Sequence, residues 1–194
     1  MESRALYDQP TTRYQPPSPI WRDFKTWRGS ELPHGHRRWL LDQGSLTERL
    51  LAASRRRLAV EVLQQRWQRA STSEYRLLAI PHRQHCLVRE VLLHCAGQPW
   101  VYARSVLPAC SLRGELRHLR HFDNRPLGQL LFTTPGMQRS PFEIARMAAR
   151  DLPRAARPPQ QAAQKDALWG RRSRFVLYNK PLLVSEIFLP ACQL

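Results

Sequence analysis

An α+β domain built on one antiparallel sheet with helices over it is the fold class that the sequence predicts. Three observations carry it. Two pairs of apolar, β-like runs are each joined by a short turn: residues 86–95 with 99–107, and residues 171–178 with 182–189. Around them lie segments with leucines every three or four residues and cap signals such as Ser45-x-x-Glu48, which mark helix starts. A chain of 194 residues is long enough for one well-buried domain and too short for two.

Lysine and arginine together number 31 against 15 aspartates and glutamates, a formal net charge of +16. Such an excess ordinarily points to nucleic acid or another anionic surface. The basic residues are nearly all arginine, with lysine only at Lys25, Lys165 and Lys180, and they are scattered rather than gathered in one block. That distribution suits the attraction of small anions to a cleft better than it suits a binding stripe. Cys86, Cys95, Cys110 and Cys192 form no CxxC pair and no dense framework, so buried, reduced thiols are expected in place of a zinc ribbon or disulfide scaffold. No apolar run approaches the roughly 20 residues that span a bilayer, and the N-terminal residues lack the apolar core of a signal peptide. A cytoplasmic protein is the expectation.

Taken in order, residues 1–20, with Pro10, Pro16, Pro17 and Pro19, are expected to be a disordered tail, and the domain runs from 21 to 194. Trp21, Phe24 and Trp27 recur at the spacing of one side of a helix or 3₁₀ turn docked on the domain. Residues 37–53 read as two helices. The first ends at Gly44 in the left-handed C′ position, and the second is capped by Ser45 and starts at Leu46, whose main-chain N–H has no partner inside the helix. Residues 58–65 alternate like a strand, and a short extended segment is expected around 77–81. His82, His85 and Cys86 are chemically competent metal ligands, but no second ligand pair follows at finger-like spacing, and surface histidines are the reading adopted. The first hairpin turns at 96–98, with Gly97 where φ can be positive.

Beyond it, Leu112, Leu116 and Leu119 give residues 113–121 a helical face. Asp123 or Asn124 is the expected cap of the next helix, with Pro126 in its first turn and Leu127 again where amide donors are free. Ser140, Pro141 and Glu143 read as the cap and first turn of a further helix over 140–150. Residues 151–164, rich in Pro, Ala, Gln and Arg, are expected to be a flexible insertion, and the closing hairpin to turn at Asn179-Lys180-Pro181.

Two charges sit inside apolar strands of this sheet. Arg89 shares a face with Leu87, Val91, Leu93 and Cys95 by the period of two, which fits a structural ion pair, a snorkelling side chain or an anion-binding group alike. Glu186 lies on a face with Leu182, Val184 and Phe188, and a carboxylate there is paired, protonated or set to meet a ligand. Arg172 and Arg174 share one face of the preceding strand. Arg89, with the helix starts at Leu46 and Leu127, suits a carboxylate through bidentate geometry and N-terminal amides, and Glu186 suits a hydroxyl. The implied ligand is a small apolar ring with an acid at one end and a hydroxyl at the other.

The segment WGRRSRFVLYNKPLLVSEIFLPA, residues 169–191, resembles the C-terminal signature of the chorismate lyase family, the chorismate pyruvate-lyases of ubiquinone biosynthesis. LDQGSLTERL, VREVLLHCAGQPWVYARSVLP and RPLGQLLF match other blocks of that family in the same order, so the resemblance covers residues 39–191. It implies a six-stranded antiparallel sheet with flanking helices that form flaps over an internal ligand site. It also implies a carbon–oxygen lyase that converts chorismate to 4-hydroxybenzoate and pyruvate, the first committed step toward ubiquinone, with no metal and no organic cofactor. By matching blocks, Arg89 holds the ring carboxylate, main-chain groups of Leu46 and Leu127 complete the ligand contacts, and Glu186 meets the 4-hydroxyl. Glu186 and Arg89 are the catalytic candidates. Arg172 is a candidate second carboxylate contact, with a salt bridge to Glu186 or another acid as the competing reading. The expected partners are chorismate and 4-hydroxybenzoate, with no nucleic acid, no stable membrane insertion and a monomeric chain. The Pro-rich tail and residues 151–164 depart from the family pattern.

Two other classes compete. Effector domains of some transcription regulators resemble this fold, which gives a non-enzymatic aromatic-acid sensor a claim; such a sensor carries a winged-helix domain, and the N-terminal residues are too few for one. A nucleic-acid binder calls for a basic stripe or a recognised motif, and neither is present in the sequence.

Overall fold

The structure, a computed structural model, describes residues 19–28, 31–122, 124–159 and 167–192. The expected tail lies almost wholly outside the described residues, as do residues 160–164 of the expected insertion. In chain order the elements are β1 (Arg22–Asp23), α1 (His34–Leu40), α2 (Leu46–Ala53), β2 (Leu58–Arg69), α3 (Thr72–Leu78), β3 (His85–Cys95), β4 (Gln98–Pro108), α4 (Leu127–Thr133), β5 (Gln138–Arg139), β6 (Glu143–Met147), β7 (Leu168–Leu177) and β8 (Lys180–Phe188). All pairings are antiparallel, in the order β1-β6-β7-β8-β4-β3-β2, with β5 also on β7. The class is α+β as expected. Eight strands replace the expected six because two pairings of only two residues, β1 on β6 and β5 on β7, are added to six longer strands.

Both hairpins close through two-residue loops with positive φ throughout, 51° and 83° at Ala96 and Gly97, 50° and 59° at Tyr178 and Asn179. Loops of this kind match the right-handed twist of the flanking strands. The closing turn is therefore at 178–179 instead of 179–181, and Pro181 falls inside β8 opposite Val176. In the middle of the sheet β4 pairs with β8, placing Ala103 opposite Glu186 and Ser105 opposite Val184.

Several local expectations give way to tertiary packing. Residues 77–78 belong to α3, not to an extended segment. The Ser71 and Glu74 side chains form a reciprocal capping box at its start, and Ala79 ends it in the left-handed region. Residues 143–147 form β6 in place of a helix. Ser140, the expected cap, bonds to β7 through its N–H to Arg174 O and through its hydroxyl to Arg174 N–H. Phe142 and Ile144 are buried in one apolar cluster, and Ala145 and Met147 in another, so the segment is covered on both sides. Gly44 does not take the left-handed conformation: α1 has already ended at Leu40, and the Gly44 N–H donates to Asp42 Oδ1. Pro126 occupies the N-cap position of α4 rather than its first turn. The leucines of 113–121 line a 3₁₀ helix, Gly114–His121. The expected loose insertion opens with 3₁₀ turns at Ala149–Asp151 and Arg154–Ala156, which bury Leu152 and Ala156.

Apolar side chains cover both faces of the sheet. On one face, Leu46 and Leu50 of α2 and Leu127 and Leu131 of α4 pack over Val91, Ala103, Phe175 and Val184. On the other, Tyr75 and Leu78 of α3 join Val88, Val106 and Leu183. This second face also carries a polar row across six strands, Gln64–Glu90–Arg104–Ser185–Arg172–Glu143, each member opposite the next. Arg104 donates to Glu90 and Glu74, and Arg172 to Glu143 and Ser73, so the charges are compensated where they are buried. No helix among the described residues is long and apolar enough to cross a membrane.

Candidate active site

The strands of the first face floor a cleft that α2 and α4 roof. Arg89 and Val91 of β3, Ala103 and Ser105 of β4, Val184 and Glu186 of β8 and Phe175 of β7 form the floor. Leu46, Thr47, Leu127 and Gly128, the first residues of the two helices, close over it with Leu131 and Phe132. A Cβ on Gly128 would stand 2.7 Å from Thr47 Oγ1, so the two helix starts approach as closely as glycine permits.

Four residues singled out in the sequence, Leu46, Arg89, Leu127 and Glu186, meet here. Strand geometry places Arg89 and Glu186 two strands and two residues apart, about 12 Å between Cα atoms, with both side chains on the helix-covered face. Arg89 is 3% exposed; its Nη2 donates to Arg125 O at 3.3 Å and its guanidinium lies 5.5 Å from the Phe122 ring centre. Burial pushes that guanidinium down to about 10, which leaves it charged at neutral pH. A charge placed in such surroundings gains most from an incoming anion.

At the other end, Glu186 is gripped by Arg171, directly opposite it on β7. Arg171 is 0% exposed; Nε donates to Glu186 Oε2 at 2.6 Å, and Nη1 to Trp39 O and Asp42 O at 2.7 and 2.8 Å. Among the described residues Glu186 Oε1 receives no hydrogen bond, so one oxygen is held and the other is available. Arg172 is not brought to the cleft. It lies on the opposite face, where Nε donates to Glu143 Oε2 at 2.6 Å and Nη1 to Ser73 Oγ at 3.1 Å. The salt bridge to another acid, its competing reading, is what the structure contains.

Sequence reasoning passed over Arg171, Ser105, Thr47 and Arg139. Ser105 was a polar break in the alternating face Val101, Ala103, Leu107, a signal of the kind that singled out Arg89. Thr47 stands in the first turn after the Ser45 cap. Arg139 follows the end of α4 and had no signal of its own, since only the fold carries it to Phe132, Phe142 and Phe175.

An arginine at one end of the cleft, an arginine-held carboxylate at the other and apolar walls between them are the chemistry that suits a small ring acid bearing a hydroxyl. The sequence model of the family described as chorismate lyase matches residues 25–194. The chain belongs to the chorismate lyase family. It is 43% identical over 155 residues, 79% of this chain and 93% of the relative, to a "Probable chorismate pyruvate-lyase" of Methylococcus capsulatus. It is 39% identical over 178 residues, 90% of this chain and 89% of the relative, to a protein of the same description from Pseudomonas fluorescens. Among solved structures, the effector domain of PhnF from Mycobacterium smegmatis superposes with a TM-score of 0.55 at 16% identity, covering 76% of this chain and 90% of that one; the likeness is one of fold.

Proposed function

We propose that the chain is a chorismate pyruvate-lyase, converting chorismate to 4-hydroxybenzoate and pyruvate. One observation carries the reading: in a chain of this family, Arg89 and Glu186 face one apolar cleft beneath the first residues of α2 and α4. Arg89 takes the ring carboxylate through a charge-assisted pair, and main-chain groups at Leu46 and Leu127 complete the contact. Glu186 meets the 4-hydroxyl with the oxygen that Arg171 leaves available. The helices α2 and α4 act as flaps that admit chorismate and then exclude water.

In the reaction the C3–O bond breaks, its electron pair leaving with the enolpyruvyl oxygen. The ring loses its C4 proton and becomes aromatic, and the enolpyruvate takes up one proton at its methylene carbon to give pyruvate. The conversion is redox-neutral and driven by aromatisation, so it calls for no cofactor. The main contribution asked of the protein is to hold the ring and its ether in the reactive conformer, with Glu186 orienting the hydroxyl and assisting proton movement. On this reading the protein works as a monomer in the cytoplasm and supplies the first committed intermediate toward ubiquinone.

The test is incubation of purified protein with chorismate in a chelating buffer, with 4-hydroxybenzoate and pyruvate measured together. Equimolar release is expected. Release of 3-hydroxybenzoate would move the chain to a neighbouring activity, and tight binding of 4-hydroxybenzoate with no turnover would favour the sensor reading.

A further inference from the structure

We infer that Arg139 is the second anion-binding arginine of the cleft, receiving the enolpyruvyl carboxylate of chorismate while Arg89 receives the ring carboxylate. The inference rests on the lyase reading and adds to it the half of the substrate that becomes pyruvate.

Chorismate carries two carboxylates, and the enolpyruvyl ether sits on C3, next to the hydroxyl-bearing C4. A substrate whose hydroxyl meets Glu186 therefore brings its second carboxylate to the Glu186 end, away from Arg89. Three arginines are near that end. Arg172 is on the far face and committed to Glu143. Arg171 has one nitrogen, Nη2, without a protein partner, but the residue is fully buried and its other nitrogens hold Glu186 and two main-chain carbonyls. A carboxylate reaching for it would compete with Glu186.

Arg139 differs from both. It lies opposite Phe175 in the β5–β7 pair, and its guanidinium stands 5.0 Å from the Phe175 ring centre and 5.7 Å from that of Phe132, both walls of the cleft. It shares the Phe142 ring with Arg171, the two guanidinium carbons lying 4.1 and 5.0 Å from its centre. Its polar contact is a long one, Nη1 to Gln43 O at 3.4 Å, and its buried Nε has no hydrogen-bond partner. Among the described residues no carboxylate comes within ion-pair distance of it. Asp42 and Glu186, the acids whose charge it feels, are held by Arg49 and Arg171. Burial pushes the Arg139 guanidinium down to about 10, with Glu186 partly offsetting that effect. A half-buried cation stacked among aromatic rings and lacking its own anion gains from a ligand that supplies one, and its partial exposure leaves it reachable.

The experiment compares substrate with product. 4-Hydroxybenzoate has the ring carboxylate but not the enolpyruvyl one, so a group serving the second carboxylate affects chorismate alone. Wild-type turnover of chorismate comes first; its absence would remove the lyase reading and this inference with it. Given an active wild type, Arg139→Gln is expected to lower kcat/KM for chorismate by about a hundredfold while the Kd for 4-hydroxybenzoate stays within about threefold. Arg139→Lys, which keeps the charge without the planar fork, should lose about tenfold, again on chorismate only. Unchanged kcat/KM in Arg139→Gln overturns the inference, and so do equal losses for substrate and product, which would make Arg139 a packing residue. If the Gln variant fails to fold, the Lys variant decides: its loss must fall on chorismate and spare the product.

Discussion

Arg171 Nε donates to Glu186 Oε2 at 2.6 Å across the β7–β8 pair, and the same guanidinium ties down the carbonyls of Trp39, at the end of α1, and Asp42, in the loop from α1 to α2. One buried side chain therefore orients the carboxylate and anchors the loop leading into a helix of the roof. Arg171→Met should lose about 3–5 kcal/mol of folding free energy, because Glu186 is left in an apolar setting without its cation. In Arg171→Met/Glu186→Gln part of that loss should return, and a double-mutant cycle by denaturant unfolding measures it. Strict additivity of the two single changes would show that the pair is not coupled.

Glu186→Gln and Arg89→Ala should separate the two ends of the cleft. Both are expected to lower turnover of chorismate by about a hundredfold or more while circular dichroism remains native. Arg89→Ala should also weaken 4-hydroxybenzoate binding by about a hundredfold, whereas Glu186→Gln should bind it with a smaller loss. Near-wild-type release of 4-hydroxybenzoate by either variant would remove that residue from the site.

Gly128→Ala puts a methyl group 2.7 Å from Thr47 Oγ1, so the Thr47 side chain must turn or the starts of α2 and α4 must part. A fall of about tenfold in kcat/KM is expected, from small displacements at the roof. Thr47→Ala in the same chain removes the clashing oxygen and should restore most of the loss. If Thr47→Ala gives no rescue, the close approach of the two helix starts is not what Gly128 serves.

Glu74 makes stability depend on pH. Burial alone raises its carboxyl, but the hydrogen bonds and charge of Arg104, with the Ser71 N–H, more than offset this and hold it below its ordinary value of 4.5. A carboxyl depressed in the folded state stabilises the fold above its unfolded value, and that contribution is lost as pH falls through the folded value. Denaturant midpoints should therefore fall more steeply in wild type than in Glu74→Gln as pH drops through the ordinary carboxyl value of 4.5 and below, with the two converging at the acid end. Parallel curves would mean that Glu74 titrates alike in the folded and unfolded chain.

The two hairpins, the apolar face beneath Arg89 and the capped start of α2 could be read from local patterns, since each depends on neighbours in sequence. The same holds for the four residues Leu46, Arg89, Leu127 and Glu186 that line the cleft. The capping box of Ser71 and Glu74 was equally visible, but the apolar run 77–80 masked it. Ser140-Pro141 looked like a helix start because nothing local reveals that β7 uses the Ser140 hydroxyl and amide. Arg171 was lost through parity. A three-residue turn at 179–181 sets an even-numbered arginine opposite Glu186, whereas the two-residue turn at 178–179 sets Arg171 there. Arg139 meets Phe132 and Phe175, two walls of the cleft, only through the long-range pairing of β5 with β7.

The pairing of β4 with β8 has a consequence for how the site comes into being. Arg89 belongs to the half of the chain that forms β2, β3 and β4, and Glu186 to the half that forms β6, β7 and β8, so neither half holds both ends of the cleft. Secondary structure can be complete in each half while the seam between them is still open. Recovery of turnover after refolding is then a chemical report on the closure of that seam, and two fragments divided between β4 and α4 would each be inert until they met.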